Sequence, residues 1–256
     1  MRGPDDLALL SEAAEVAGDI AMRWFGRVRP RDKGDGQGPV TEADLEVDAT
    51  LRAMLTEARP GYGWLSEESV DGPARLTRDR VFVVDPIDGT RAFIDGAKDW
   101  GHSLAVVEDG TPVAAVVLMP VRETLYAAAR GAGATKDGAP IAPSGREAIE
   151  GATVLGAKAN FRPERWREMP PVERTFRSSL AYRLALVAEG RFDAMITLRR
   201  AWEWDIAAGA LLCSEAGAAV TDRHGGALRF NGRDAMLDGV VAGTGAVHRE
   251  LLDRLA

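Results

Sequence analysis

The chain of 256 residues carries a net charge of −7, with 46% hydrophobic and 28% charged residues. This balance is typical of a folded globular protein, and it excludes a disordered chain and a binder of nucleic-acid polymers that depends on a basic field. Cys213 is the single cysteine, which excludes an intramolecular disulfide and a cysteine-based zinc site. We expect Cys213 to be buried as a small hydrophobic residue.

The first residues, MRGPDDLALL, turn acidic at once, so we expect no signal peptide. The longest apolar run, VAAVVLM at 113–119, is too short to span a bilayer. These two features predict a cytoplasmic protein without a transmembrane segment.

The first half of the chain begins with helices and continues with strands. Apolar residues at helical spacing predict a helix over 5–25, and the polar, glycine-rich stretch 29–40 is expected to be a loop that is mobile without metal. A second helix over 42–58 begins with a capping box, in which Thr41 is the N-cap and Asp44 takes the N3 position. Strands are then predicted at hairpin-like intervals, over 81–85, 102–109, 111–120 and 123–130.

The dipeptide Asp109-Gly110 in EDGT (108–111) predicts a hairpin turn. The turn-rich segment 131–141 is expected to cross between subdomains. Strands and helices alternate afterwards, with strands over 153–158 and 192–198 and helices over 179–190 and 205–217. Asp205 is predicted as the N-cap of the last of these helices, and Gly217 lies just beyond its end. The pattern predicts an α+β subdomain at 1–135 and an α/β subdomain at 136–256.

Acidic residues stand at three places where a predicted strand or loop ends or a helix begins. These are Glu67 and Glu68 in LSEES, Asp85 and Asp88 in VDPIDGT, and Asp205 in WEWDIAAG. Clustered carboxylates repel one another and raise each other's pKa, and a divalent cation relieves that repulsion. Oxygen ligands without histidine or cysteine favour Mg²⁺ over zinc.

The residues after Asp88 suit a phosphate group. Gly89 and Thr90 offer backbone N–H groups at the start of a predicted helix, and the Thr90 hydroxyl could orient a water molecule. Two metal ions about 4 Å apart would activate that water and stabilise the leaving oxygen. The combination indicates metal-assisted hydrolysis of a phosphomonoester.

Each of these features also has a structural explanation when it is taken alone. DPIDGT is a good turn sequence, Asp205 a good N-cap, Glu67 and Glu68 a solvated pair, and Lys33 an ordinary loop lysine. His102 is interpreted as a hydrogen-bonded structural histidine rather than a catalytic base. The joint occurrence of the acidic motifs favours the metal site.

The motifs LSEES, VDPIDGTRAF and WDIAAG, in this order, resemble the inositol monophosphatase superfamily of Mg²⁺-dependent, lithium-sensitive phosphatases. The resemblance covers essentially the whole chain. It implies a layered αβαβα sandwich of the inositol monophosphatase/fructose-1,6-bisphosphatase type, two to three Mg²⁺ ions, inhibition by Li⁺ and Ca²⁺, a small phosphorylated metabolite as substrate, and a homodimer.

The resemblance also implies roles for individual residues. The metal ligands would be Glu67, Asp85, the backbone carbonyl of Ile87, Asp88 and Asp205. Gly89 and Thr90 would bind the phosphate, Thr90 and Asp44 would activate the water together with Glu67, and Lys33 would lie in a loop near the metals.

The substrate is less clearly indicated. Inositol-hydrolysing members carry a glutamate at the position of Leu198, whereas FRSSLAYRLALVAEG and EWDIAAG resemble the bacterial 3′(2′),5′-bisphosphate nucleotidases. Those enzymes convert adenosine 3′,5′-bisphosphate to AMP and phosphate. Ala181 departs from their pattern because a lysine is common there. Inositol-1-phosphatase and histidinol phosphatase are alternatives, as is a catalytically silent protein that binds a nucleotide or metal.

A bisphosphate needs a second site for an anion, for which arginine is well suited. The candidate substrate-binding residues are Asp88, Gly89, Thr90, Ser178, Arg183, Arg199, Arg200 and Asp205. The alternative for the arginines is that they form surface pairs with nearby acids such as Glu203.

Overall fold

The computed structural model describes residues 3–34 and 38–256. Its helices are α1 (Gly3–Trp24), α2 (Glu42–Ala58), α3 (Thr90–Ile94), α4 (Leu180–Ala188), α5 (Ala207–Ala216) and α6 (Gly245–Arg254). Its strands are β1 (Arg31–Asp32), β2 (Pro39–Val40), β3 (Gly63–Ser66), β4 (Arg80–Asp88), β5 (Gly101–Glu108), β6 (Thr111–Met119), β7 (Thr124–Ala129), β8 (Gly133–Lys136), β9 (Ala139–Pro140), β10 (Thr153–Leu155), β11 (Glu173–Thr175), β12 (Ala194–Thr197), β13 (Ala201–Trp202), β14 (Ala219–Thr221), β15 (Met236–Leu237) and β16 (Val240–Gly243). Within the described residues, none of the helices could cross a membrane.

A seven-stranded sheet runs in the order β3-β4-β5-β6-β7-β8-β9. β3 is parallel to β4, and the remaining neighbours are antiparallel. The predicted hairpin turn joins β5 to β6, with φ of 50° at Asp109 and 74° at Gly110, as a type I′ turn requires. The expectation that 131–141 crosses between subdomains was wrong, because this segment folds back as β8 and β9 of the same sheet.

A second, five-stranded sheet has the order β11-β10-β12-β16-β14 and combines parallel with antiparallel pairs. The short strands β1 and β2 pair with each other inside the glycine-rich stretch 29–40. Residues 35–37 of that stretch lie outside the described residues, and the mobility expected for it stays a prediction. The subdomain boundary at 135 also stays a prediction; β9 extends the first sheet to Pro140.

Side chains that alternate along the first sheet fill two separate cores. Phe82 and Val84 pack with α1 and α2 on one face, whereas Val81 and Val83 pack with α4 and α5 on the other. The second sheet lies beyond α4 and α5, and its outer face is covered by α6 through residues such as Val247. The layers are therefore α, β, α, β and α, which confirms the predicted sandwich.

The middle layer depends on a close approach of α4 and α5. A Cβ atom placed on Gly209 of α5 would lie 2.4 Å from the Cβ of Leu184 on α4. Carbon atoms that are not bonded to each other do not come that close, so the two helices can pack at this spacing only because residue 209 lacks a side chain.

We expect Gly209→Ala to lower the free energy of unfolding by about 1–3 kcal/mol through overpacking, although alanine is the better helix former. Urea denaturation followed by circular dichroism measures the change. Ser214→Ala, at an exposed position of the same helix, is the matched control and should change stability by less than about 0.5 kcal/mol. A Gly209→Ala protein as stable as the control would contradict this account of the helix pair.

Candidate active site

A bulge at the end of β4 directs two acidic side chains to the same side of the sheet. The pairing with β5 shifts register between Asp85 and Asp88, so that Pro86 and Ile87 stand opposite the single residue His102. In a regular strand, residues three positions apart point to opposite faces. The one extra residue of the bulge cancels that alternation, and Asp85 and Asp88 therefore face the same space.

Asp205 joins this pair from the middle helical layer. Carboxylate oxygens of Asp85, Asp88 and Asp205 lie within 4.8 Å of one another. The prediction that Asp205 is the N-cap of α5 was wrong, because the N-cap is Ile206. Asp205 lies one position too early to cap the helix, and its side chain faces the carboxylates of β4 instead. The glycine end of this helix is confirmed, since Gly217 is the C-cap with a φ of 94°.

Glu67 reaches the same site because β3 runs parallel to β4. Ser66, the last residue of β3, pairs with Val84, so Glu67, the next residue, lies beside Asp85 at the same end of the two strands. The Nζ atom of Lys33 lies 2.8 Å from Glu67 Oε1 and 2.5 Å from Glu68 Oε1. The ammonium group thus supplies positive charge beside the acidic cluster, and Glu68 is a second partner of Lys33 that sequence reasoning had not assigned to it.

The carboxyl groups of Glu67, Asp85, Asp88 and Asp205, which form the acidic cluster, cannot all ionise without repelling one another. Burial, followed by repulsion from Glu67 and Asp88, raises the pKa of Asp85 well above its usual value. Burial and repulsion from Asp88 raise the pKa of Asp205 in the same way. A hard divalent cation that takes oxygen ligands would remove this penalty, so the residues present fit Mg²⁺.

Asp88 has additional partners at the beginning of α4. Its carboxylate accepts hydrogen bonds from Ser179 Oγ at 2.6 Å and from the backbone N–H groups of Ala181 at 2.6 Å and Leu180 at 3.2 Å. Burial raises the pKa of Asp88, and these hydrogen bonds oppose the rise. The N-terminal end of α4 therefore holds one acidic residue of the first sheet in place.

The predicted capping box of α2 is confirmed. Thr41 donates from its backbone N–H at 2.8 Å and from Oγ1 at 2.6 Å to the Asp44 carboxylate, and burial raises the pKa of Asp44 to about 6. Thr90 Oγ1 donates to the Ile87 carbonyl at 3.2 Å. The described residues show no hydrogen bond between Thr90 and Asp44, so their cooperation stays a prediction.

Gly89 provides the turn from β4 into the five-residue helix α3. Its φ is 97°, and a Cβ atom there would lie 3.0 Å from the Asp99 carbonyl oxygen. A side chain would be strained by both the backbone conformation and the contact. The glycine therefore lets the backbone bring Gly89 and Thr90 next to the acidic cluster.

The acidic cluster opens into a cavity of about 730 Å³. The lining residues come from the metal motifs and from two segments of the second half of the chain: Gly38, Pro39, Glu67, Asp85, Asp88, Gly89, Thr90, Arg91, Phe176, Ser178, Arg199, Trp202 and Asp205. Phe176 and Trp202 were missed by sequence reasoning, because no local motif marks an aromatic residue that lines a cavity.

The three candidate arginines lie in different environments. Arg199 lines the cavity, whereas Arg200 is exposed and pairs with Asp234. Arg183 is buried with its guanidinium 4.5 Å from the centre of the Phe176 ring, and it donates to backbone carbonyls of the preceding loop, including that of Ser178.

The interpretation that Glu203 forms a surface pair with the arginines was wrong. Glu203 is fully buried and accepts hydrogen bonds from the backbone N–H groups of Asn231 at 2.6 Å and Gly232 at 2.7 Å. Glu203 therefore holds the loop after β14, and the surface pair forms between Arg200 and Asp234 instead.

A model of the inositol monophosphatase family matches residues 5–256. The chain belongs to the inositol monophosphatase family. An inositol-1-monophosphatase of Mesorhizobium japonicum is 36% identical over 267 aligned residues, covering 96% of this chain and 94% of the relative. A histidinol-phosphatase of Mycobacterium tuberculosis is 34% identical over 265, covering 98% of each.

The fold of this family member agrees with solved structures. An IMPase of Thermotoga maritima superposes with a TM-score of 0.84 at 28% identity, covering 97% of this chain and 96% of the other. The resemblance inferred from the motifs is confirmed, and the protein is a metal-dependent phosphatase that acts on small phosphorylated substrates. The names of these relatives differ in substrate, so family membership fixes the reaction class only.

We expect Asp88→Asn to lower kcat/KM by more than about 100-fold. Losing a residue that only orients a metal ligand usually costs about 10- to 100-fold, and losing a ligand itself should cost more. The amide keeps the shape of the side chain, and its one oxygen can still accept the two 2.6 Å hydrogen bonds from Ser179 and Ala181, so the thermal unfolding midpoint should change little. Phosphate release and a thermal melt measure the two quantities. Asp234→Asn, at the exposed surface pair, is the control and should retain activity. Near-normal turnover by Asp88→Asn would contradict the metal-site interpretation.

Proposed function

We propose that this protein is a Mg²⁺-dependent phosphomonoesterase whose substrate is a nucleoside 3′(2′),5′-bisphosphate, with adenosine 3′,5′-bisphosphate as the best candidate. The observation that carries the proposal is a group of three side chains that line the cavity together with the carboxylates. Two aromatic rings and one guanidinium group stand there, from Phe176, Trp202 and Arg199. These groups match a base and a second phosphate.

The aromatic groups offer exposed ring surface. Phe176 is 46% exposed and Trp202 is 36% exposed, and Trp202 stacks on Trp204 with ring centroids 4.7 Å apart. Stacking of a base on an aromatic side chain contributes about 1–3 kcal/mol, so either ring would favour a nucleotide over a sugar phosphate.

Arg199 supplies the charge for the second phosphate. Its guanidinium donates to the Arg200 carbonyl at 3.2 Å, and no other hydrogen bond from it occurs within the described part of the chain. A guanidinium group suits a phosphate because its N–H groups match two phosphate oxygens. Histidinol phosphate carries an ammonium group, which Arg199 would repel, so this alternative is less favoured.

Leu198 supports the same choice. Its side chain is only 4% exposed and belongs to the core under α6, so it offers no hydrogen-bond acceptor to a sugar hydroxyl. Inositol 1-phosphate therefore lacks the partner that the family resemblance associates with its binding.

Glu67, Asp85, the Ile87 carbonyl, Asp88 and Asp205 would hold the metal. Bound Mg²⁺ supplies an activated water and stabilises the leaving oxygen.

The remaining site residues would act on the substrate and on protons. The backbone N–H groups of Gly89 and Thr90 would bind the phosphate. The Thr90 hydroxyl would accept a hydrogen bond from the attacking water and donate its own hydrogen to the Asp44 carboxylate, which would take up the proton. Lys33 stays close to the acidic cluster through Glu67 and limits its negative charge. This complete set of acids argues against a catalytically silent binding protein.

The substrate is tested by phosphate release from adenosine 3′,5′-bisphosphate, inositol 1-phosphate and histidinol phosphate. We expect the bisphosphate to give the highest kcat/KM. Arg199→Ala should lower kcat/KM for the bisphosphate by about 10- to 100-fold, as expected for a lost charge-assisted hydrogen bond, and should leave inositol 1-phosphate unaffected.

Arg200→Ala is the matched control, since its guanidinium pairs with Asp234 at the surface, and it should stay within about twofold of wild type. If the bisphosphate is the poorest of the three substrates, the nucleotidase assignment is wrong. Equal losses in Arg199→Ala and Arg200→Ala would refute the assigned role of Arg199.

The metal is tested by removal and replacement. Chelation should abolish activity, Mg²⁺ should restore it, and Li⁺ and Ca²⁺ should each inhibit the restored enzyme, because Ca²⁺ prefers more ligands and longer distances than Mg²⁺. The measurement is phosphate release against metal concentration. Full activity of the chelated protein would contradict metal dependence.

A further inference from the structure

Strand β5 contacts two segments that carry acidic residues of the site. One is β4, its neighbour in the sheet, and the other is the segment just before α5. His102 and Ser103 are consecutive on this strand, and both are buried, at 0% and 1% exposure. Consecutive residues of a strand point to opposite faces, so His102 faces the layer of α1 and α2 while Ser103 faces the layer of α4 and α5. Each side chain hydrogen bonds to a backbone carbonyl next to a carboxylate of the cluster.

His102 contacts the bulge of β4. Its Nδ1 lies in a short hydrogen bond with the carbonyl oxygen of Pro86, the residue directly after Asp85. Proline has no N–H group to pair with β5, and the bulge takes this part of β4 out of the regular ladder. Because a carbonyl oxygen only accepts, Nδ1 carries the hydrogen, and the histidine side chain satisfies a carbonyl that the ladder leaves free.

The other ring nitrogen of His102, Nε2, makes no contact within the described part of the chain that would explain a histidine at this position. Nε2 is buried and has no hydrogen-bond partner among residues 3–34 and 38–256. A buried polar atom without a partner costs free energy, so a phenylalanine would be more stable here if packing alone mattered. The hydrogen bond made by Nδ1 is what a histidine provides here and a phenylalanine would not.

Ser103 makes the corresponding contact on the opposite face. Its Oγ donates to the Trp204 carbonyl at 2.9 Å, and Trp204 is the residue directly before Asp205. The N-cap residue of α5, Ile206, offers no side-chain hydrogen bond within the described part of the chain. The serine hydroxyl therefore ties the approach to α5 directly to the first sheet.

We propose that His102 and Ser103 are positioning residues that set the relative placement of Asp85, Asp88 and Asp205 from the two faces of β5. Metal ligands need to be held within about 0.5 Å of their working positions, and groups that orient ligands contribute about 10- to 100-fold to metal affinity. The proposal rests on the metal dependence stated under the proposed function, and it is independent of the substrate.

The test is Mg²⁺ binding by isothermal titration calorimetry on the full chain, with His102→Phe, His102→Asn and Ser103→Ala. His102→Phe keeps a ring but removes the donor, and it should weaken Mg²⁺ binding by about 10- to 100-fold. His102→Asn keeps an N–H donor at the position of Nδ1 and should restore most of the affinity. Ser103→Ala should weaken binding as well, and in both weakened variants kcat should recover at saturating Mg²⁺.

His248→Phe is the matched control. This histidine is buried on α6 in the outermost layer and pairs with Thr221 Oγ1, so its loss should lower stability without changing Mg²⁺ affinity. Wild-type affinity in folded His102→Phe and Ser103→Ala proteins would overturn the proposal while leaving the metal centre intact. If His102→Phe does not fold, the other two variants test the proposal. Wild-type Mg²⁺ affinity in Ser103→Ala, or strongly weakened affinity in His102→Asn, would then overturn it. A wild-type protein that binds no Mg²⁺ would overturn the metal-dependent function and this proposal together.

Discussion

The mutual repulsion of buried carboxylates is the constraint on which the rest of this structure depends. Asp85, Asp88 and Asp205 bring their oxygens within 4.8 Å of one another, and Glu67 adds its field from the same edge. Such a cluster costs free energy in the absence of a cation, and folding must provide that free energy elsewhere. The large, separately packed cores on the two faces of the first sheet can supply it.

Several parts of the chain reduce this cost before any metal binds. The Lys33 ammonium lies against Glu67, and the beginning of α4 donates three hydrogen bonds to Asp88. These contacts come from the first and the second half of the sequence, so both halves of the fold stabilise the cluster. They also leave oxygen ligands close together and directed into one cavity, which is the arrangement that a hard divalent cation needs.

The acidic residues and the other residues that line the cavity come from different parts of the molecule. The acidic residues and the Gly89 turn stand at the ends of β3 and β4 and before α5, all of which are anchored in the cores. Three other lining residues, Phe176, Arg199 and Trp202, come from loops and short strands of the second half. Under the proposed function, changes in this lining would alter the substrate while the acidic residues kept the reaction class.

Much of the architecture could be predicted from local patterns. The helices α1 and α2, the capping box at Thr41, the hairpin at Asp109 and the acidic motifs all depend on residues close in sequence, and short-range physical rules describe them well. The errors concern distant partners. Asp205 looks like an N-cap from its neighbours, and Glu203 looks like a partner of Arg200, but in each case a residue far along the chain determines the contact.

The sequence by itself determined the reaction class, because the acids that fit a metal site lie in short motifs whose spacing and residue types can be recognised without coordinates. Only the tertiary structure decided which arginine faces the cavity, which rings line it, and that a bulge places Asp85 and Asp88 on one face. The physical reason is that these properties depend on the register of β4 against β5 and on the packing of two sheets across a helical layer, which bring together residues more than a hundred positions apart.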